Sequence, residues 1–92
     1  MSRRVERASR FKKNFKRFAR DSAFCAEFAA LLELLKSDAP LPSKYRDHAL
    51  HNDWDGCRDC HVRPDVVLVY QKTSDGIVLL LLRIGSHSEI FG

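Results

Sequence analysis

Three histidines, two aspartates and two arginines stand beside or at the ends of apolar, strand-like runs in the C-terminal half of this 92-residue chain. They fall in Asp47-His48, in Cys60-His61-Val62-Arg63-Pro64-Asp65 and in Arg83-Ile84-Gly85-Ser86-His87. Core packing would not select polar residues at such places. Imidazole titrates near neutrality and both gives and takes protons there, and a guanidinium holds phosphate charge. These groups fit metal-free acid–base work on a phosphodiester. One takes the proton of a 2′-hydroxyl, whose oxygen attacks the adjacent phosphorus in line. Arginine stabilises the charge on the equatorial oxygens while a second imidazole protonates the leaving 5′-oxygen. The same residues also read as solvent-exposed histidines on a binding domain. Spacing alone leaves both open.

A second pattern overlaps the first. Cys57-Arg58-Asp59-Cys60-His61 has the spacing of a haem attachment or of a metal-ligand pair. Residues three apart in a flat strand face opposite sides, so Cys57 and Cys60 would chelate together only around a turn, and no second C-x-x-C follows. Covalent haem requires export and a distal ligand, whereas the sole methionine is Met1. A thioredoxin-like site wants a helix after the cysteine pair, and none is expected here. The expectation is therefore no metal and no cofactor.

The elements that must position these groups follow from composition and pattern. At 45% hydrophobic and 30% charged, the chain has the make-up of an ordinary globular protein, and residues 1–92 are expected to form one domain around one core. No apolar run approaches the roughly 20 residues that span a bilayer. The basic N-terminus has no apolar segment after it, and three cysteines make disulfides a poor fit, so a cytoplasmic protein is expected. Net charge is +4, but residues 1–20 hold nine basic side chains against Glu6 alone, while the rest hold seven basic and eleven acidic. Such asymmetry points to a polyanionic partner, nucleic acid being the commonest, with a solvated helix face as the plain alternative.

Residues 3–8 read as a short edge strand. From Ser9, a plausible N-cap, the pattern turns helical, with Phe11, Phe15 and Phe18 on one face as core. Asp21 or Ser22 caps a second helix whose stripe is Phe24, Phe28, Leu31, Leu32 and Leu35, and Pro40 and Pro42 stop it. Period-two segments then follow at residues 56–62, 65–72 and 77–84, the last two joined by Thr73-Ser74-Asp75-Gly76 as a hairpin turn. Residues 87–92 read as a short tail. The fold class is α+β, a short strand and a two-helix hairpin packed on a twisted antiparallel sheet.

Four stretches carry a resemblance: Tyr45-Arg46-Asp47-His48-Ala49-Leu50, then Trp54-Asp55-Gly56-Cys57-Arg58-Asp59-Cys60-His61-Val62-Arg63-Pro64-Asp65, then Leu68-Val69-Tyr70, then Arg83-Ile84-Gly85-Ser86-His87-Ser88-Glu89-Ile90-Phe91. Taken in order, they resemble the YafQ branch of the RelE/ParE toxin superfamily. The resemblance implies a RelE-like fold and a toxin of a type II toxin–antitoxin pair. Such a toxin is a ribosome-dependent mRNA endoribonuclease that cuts in the ribosomal A site, and a cognate DinJ/RelB-like antitoxin silences it. By the same resemblance, His48, His61, Asp65 and His87 are the acid–base set, and Arg83 and Phe91 contact phosphate and base. The basic helical segment would meet ribosomal RNA, or an acidic antitoxin in the neutralised state. Val66 departs from the pattern, since some relatives have tryptophan next to the aspartate. Two alternatives stand beside this reading: a degenerate or ParE-like toxin that acts by binding protein, and a zinc-binding nucleic-acid adaptor. Gyrase-directed relatives on this fold lack the histidine set.

Overall fold

The computed structural model describes residues 2–92. In chain order it has β1 (Arg4–Arg7), α1 (Ser9–Phe15), α2 (Ser22–Lys36), β2 (His48–Ala49), β3 (Arg58–Arg63), β4 (Val66–Lys72), β5 (Val78–Gly85) and α3 (His87–Phe91). Short 3-10 turns occupy Lys16–Phe18, Ser43–Tyr45 and Asn52–Trp54. Among the described residues no helix is long and apolar enough to cross a membrane.

Capping decides where α2 begins. The Asp21 carboxylate accepts the Phe24 N–H at 3.0 Å, satisfying one of the donors a helix start leaves free. Ser9 does not serve α1 in this way: Ala8 is the N-cap, and no side chain bonds to the first turn. Instead Ala8 N–H donates to the Leu81 carbonyl at 2.9 Å, so the sheet itself fixes the start of α1. The first helix is also shorter than its phenylalanine spacing predicts, tightening to a 3-10 turn that carries Phe18.

The five strands lie in the order β1-β5-β4-β3-β2. Strands β2 to β5 pair antiparallel, but β1 runs parallel to β5, with Arg4 opposite Val78 and Arg7 opposite Leu81. The edge strand thus departs from the all-antiparallel sheet expected. The helical hairpin carries the chain from β1 before the antiparallel strands begin, and a parallel pair requires such a crossover. Hairpin chemistry closes β4 to β5. Gly76 takes φ of +81°, the Asp75 carboxylate accepts the Ile77 N–H at 2.9 Å, and the Thr73 hydroxyl accepts the Val78 N–H at 3.0 Å.

The two faces of the sheet are unlike. On one, Phe11, Phe24, Leu31 and Leu35 from the helices meet Cys60, Leu68, Tyr70, Leu79, Leu81 and Ile84 in the main core. On the other, Cys57, Val67, Val69 and Ile90 form a smaller cluster edged by Leu50, Trp54, Leu82 and Phe91. The expected C-terminal tail is a helix, because Ser86 and Glu89 form a capping box: each side chain accepts the other residue's N–H, at 3.2 and 2.8 Å. Its Ile90 roofs the smaller cluster.

Candidate active site

Register gathers the polar residues. Across β2, β3, β4 and β5 runs the row His48, Asp59, Val69, Arg83, and beside it run His61, Val67 and Gly85. Directly opposite residues of antiparallel strands share a face. The shared face here is that of the smaller apolar cluster, since Val67 and Val69 belong to it. A bulge sharpens the arrangement: Tyr70 pairs with Leu81 and Val69 with Arg83, leaving Leu82 as the extra residue. Leu81 therefore enters the main core while Leu82 packs on the opposite side.

Asp59 is the residue the sequence did not single out. It is 1% exposed, the one buried charged side chain among the described residues. Burial pushes its carboxyl above the ordinary range, and charge on His48, His61 and His87 pulls it back down. Its Oδ1 accepts no well-directed hydrogen bond, although His48 Nδ1 lies 3.0 Å away. The distance is that of an ion pair, but the same Nδ1 is also 3.0 Å from the Arg46 carbonyl, and one ring hydrogen cannot point at both. We take the carbonyl as the hydrogen-bond acceptor and Asp59 as an electrostatic neighbour.

The tautomers follow from these neighbours. A carbonyl only accepts, so the Arg46 carbonyl places the hydrogen of neutral His48 on Nδ1 and leaves the Nε2 lone pair free. His61 behaves alike, with its Nδ1 3.3 Å from the Pro64 carbonyl. Arg46 sits at φ of +50°, the left-handed turn that delivers His48 to the sheet edge. Asp47, next to it, anchors that edge by accepting hydrogen bonds from Arg58 at 2.7 Å and from the buried Tyr70 hydroxyl. Burial and that carboxylate push the Tyr70 phenol up, so it remains a donor.

His87 opens α3 and packs tilted against Phe91 with ring centroids 4.7 Å apart, and Trp54 meets Phe91 edge-on at 5.7 Å. The Trp54 contact gives the site a second aromatic wall that sequence reading passed over. Arg83 is aimed by α1, since its Nε donates to Asn14 Oδ1 at 2.8 Å. Arg17 grips Glu89 through two hydrogen bonds, of 2.6 and 2.5 Å, and holds its carboxyl well below the usual range, at about 2. Gly85 leaves room for that grip, because a Cβ there would stand 3.2 Å from both Arg17 and Glu89.

Of the expected acid–base set, His48 lies 3.0 Å from a buried carboxylate and His61 follows two residues on along the same strand face, but that carboxylate is Asp59. Asp65 lies exposed on the turn between β3 and β4 and, among the described residues, makes no side-chain hydrogen bond to an imidazole. Cys57 and Cys60 fall into separate apolar clusters on opposite faces, and burial raises both thiols above their ordinary range. Among the described residues no group of three or more His, Cys, Asp or Glu side chains is placed to hold a metal ion.

A family profile described as "Bacterial toxin of type II toxin-antitoxin system, YafQ" matches residues 3–92. The chain belongs to the YafQ toxin family. It is 42% identical over 59 residues to the mRNA interferase toxin YafQ of Escherichia coli (strain K12), a match covering 64% of this chain and 62% of that relative. The matched stretch therefore spans somewhat under two thirds of the relative's length. Likeness in three dimensions is more extensive. The crystal structure of YafQ from E. coli strain BL21(DE3) superposes with a TM-score of 0.85 at 34% identity, covering 98% of this chain and 99% of that one. The YafQ-like chain of the E. coli DinJ-YafQ toxin-antitoxin complex gives 0.84 at 33% identity, with both chains fully covered. The α+β, RelE-like sheet and its helices are those of the YafQ family.

Proposed function

We propose that residues 1–92 act as one toxin domain: a ribosome-dependent mRNA endoribonuclease of a type II toxin–antitoxin pair, working in the cytoplasm. The observation that carries this reading is the buried Asp59 carboxylate 3.0 Å from His48, in one register row with Arg83 and on the sheet face that also carries His61. The relative named an mRNA interferase supports it.

His48 is the general base. Its free Nε2 takes the 2′-hydroxyl proton, and Asp59 stabilises the imidazolium that forms. The 2′-oxygen attacks phosphorus and the P–O5′ bond breaks. Arg83 holds the equatorial charge, and His87 gives its proton to the departing 5′-oxygen. The products are a 2′,3′-cyclic phosphate, or the 3′-phosphate formed from it by water, and a 5′-hydroxyl end. His61 presents a second free Nε2 beside the attacked phosphate, Asp65 stands exposed on the turn that follows it, and Phe91 stacks on a base of the A-site codon. The strongly basic N-terminal segment meets ribosomal RNA. A DinJ-like antitoxin, partner of the relative in the E. coli complex, would silence the toxin by covering these charges.

The test is His87→Ala. It should abolish growth arrest on expression and ribosome-dependent cuts in primer extension, while circular dichroism shows a folded protein. Arrest by a folded His87→Ala protein would remove His87 as the acid.

A further inference from the structure

Beside the histidine row lies a hollow of about 440 Å³ lined by Lys13, Asn14, Arg17, Arg83, Ile84 and Glu89. Arg17 is spent on Glu89, which leaves Lys13 and Arg83 as the unbalanced charges of this rim. Among the described residues Lys13 makes no ion pair, and the terminal nitrogens of Arg83 make no hydrogen bond. Asn14 adds a third donor. Its Oδ1 accepts from Arg83 Nε at 2.8 Å and from the Ile84 N–H at 3.3 Å, which fixes the amide's orientation and leaves its NH₂ free. Three sides of the hollow therefore present donors without acceptors to match them. That chemistry suits an anion with several oxygens and one negative charge, as a phosphodiester has.

We propose that this hollow is a phosphate subsite, in which Lys13 and Asn14 hold the RNA phosphate adjoining the one that is cleaved. Arg83 stands between the two positions. It also lines the neighbouring hollow with Arg10, Trp54 and Leu82, on the side of the aromatic wall, so its guanidinium bridges scissile and flanking phosphates while Asn14 fixes its plane. The subsite rests on the nuclease reading above and adds to it where the strand runs. It makes Lys13 a determinant of substrate binding and Asn14 a positioning residue for Arg83.

The experiment cuts a short synthetic message on ribosomes, with a neutral methylphosphonate at the linkage one step 5′ or one step 3′ of the cleaved one. Lys13 is exposed on a helix, where alanine is the best former, so Lys13→Ala keeps the fold. It should raise KM roughly tenfold, the scale of one hydrogen bond to a charged group, with kcat little changed. It should also lower the slope of log affinity against log salt by about 0.7, the value for one contact on a single strand. For the wild type, one of the two methylphosphonates should impose a similar KM penalty, and that penalty should vanish in Lys13→Ala and persist in Lys13→Arg. Lys12→Ala, one residue away on the same helix, should keep the full penalty. A Lys13→Ala protein that keeps the penalty at both linkages overturns the subsite, because its lysine then meets ribosomal RNA or nothing. So does unaltered KM with weakened neutralisation by the antitoxin, which would assign the hollow to a protein carboxylate. A wild type that makes no cut removes the nuclease reading and the subsite together, whereas a cutting wild type with an indifferent Lys13 removes the subsite alone.

Discussion

On the helix-covered face of the sheet, Phe24, Leu31, Leu68, Leu79 and Leu81 are sealed from water, each 1% exposed or less. On the other face, Val67 and Val69 make a smaller apolar floor ringed by His48, Asp59, His61, Arg83 and the α3 helix. The first face uses side chains that have no other use than burial, each contributing about 1.5–3 kcal/mol. The second spends its few apolar residues on holding polar groups in register. A sheet this small can support a site because stability and chemistry draw on opposite sides of the same strands, alternating residue by residue.

The largest expected effect breaks the covered face. Phe24→Ala should lower the free energy of unfolding in urea by about 3–5 kcal/mol. On the open face His87→Ala should change it by less than about 0.5 kcal/mol and still cut cleavage by about 10²–10⁴-fold. Equal destabilisation by the two would erase the contrast between the faces.

Asp59→Asn tests the boundary, because Asp59 is buried yet belongs to the site. Its carboxyl is raised by burial, so below the unfolded value of 3.8 charge makes no difference to folding. As pH rises above 3.8, ionisation increasingly disfavours the folded wild type, and the variant should gain stability relative to it. Cleavage should fall by about 10²-fold or more, since the His48 imidazolium loses its counter-charge. A variant that is less stable at pH 7 than at pH 4 relative to wild type would contradict the burial argument.

Glu89→Gln reaches the site through α3. The Glu89 carboxyl is depressed from 4.5 to about 2, so its ion pair with Arg17 supports the fold fully above pH 4.5 and is lost as pH falls toward 2. The gap in Tm between wild type and Glu89→Gln should therefore close on acidification, with cleavage reduced severalfold at neutral pH. A gap constant from pH 6 to pH 2 would mean that the Glu89 charge does not hold the helix.

The smallest effect on cleavage is expected from Gly85→Ala. At φ of +159° an alanine is strained, and its methyl meets the flexible ends of Arg17 and Glu89 at 3.2 Å, so stability should fall by about 1–3 kcal/mol. The cleavage rate should fall a fewfold as His87 shifts. Unaltered cleavage would show that α3 tolerates displacement.

Much of this was legible in the chain. The β-branched run of β4, the Asp75-Gly76 turn and the Asp21 cap each act through local chemistry, so sequence reveals them. The site residues came through the family resemblance, because no local rule separates His87 from a surface histidine. Asp59 escaped notice for a physical reason. A charged residue between Arg58 and Cys60 reads as the solvent-facing member of an alternating strand, and only the register opposite His48 reveals its burial. The parallel pairing of β1 was equally hidden, since nothing in residues 4–7 names their partner. The helix α3 did leave a trace, Ser86 and Glu89 three apart, in a segment too short for periodicity to register.

That parallel pair has a consequence in time. Residues 4–7 find their partners only in residues 78–81, so β1 must wait until β5 has been made before the sheet can take it in. The same late strand carries Arg83 and leads directly into His87. A chain built this way assembles its sheet edge and its candidate chemistry together, once β5 has been made. Nascent chains stalled before Val78 should stay open to proteases throughout α1, and early protection of that helix would argue against such timing.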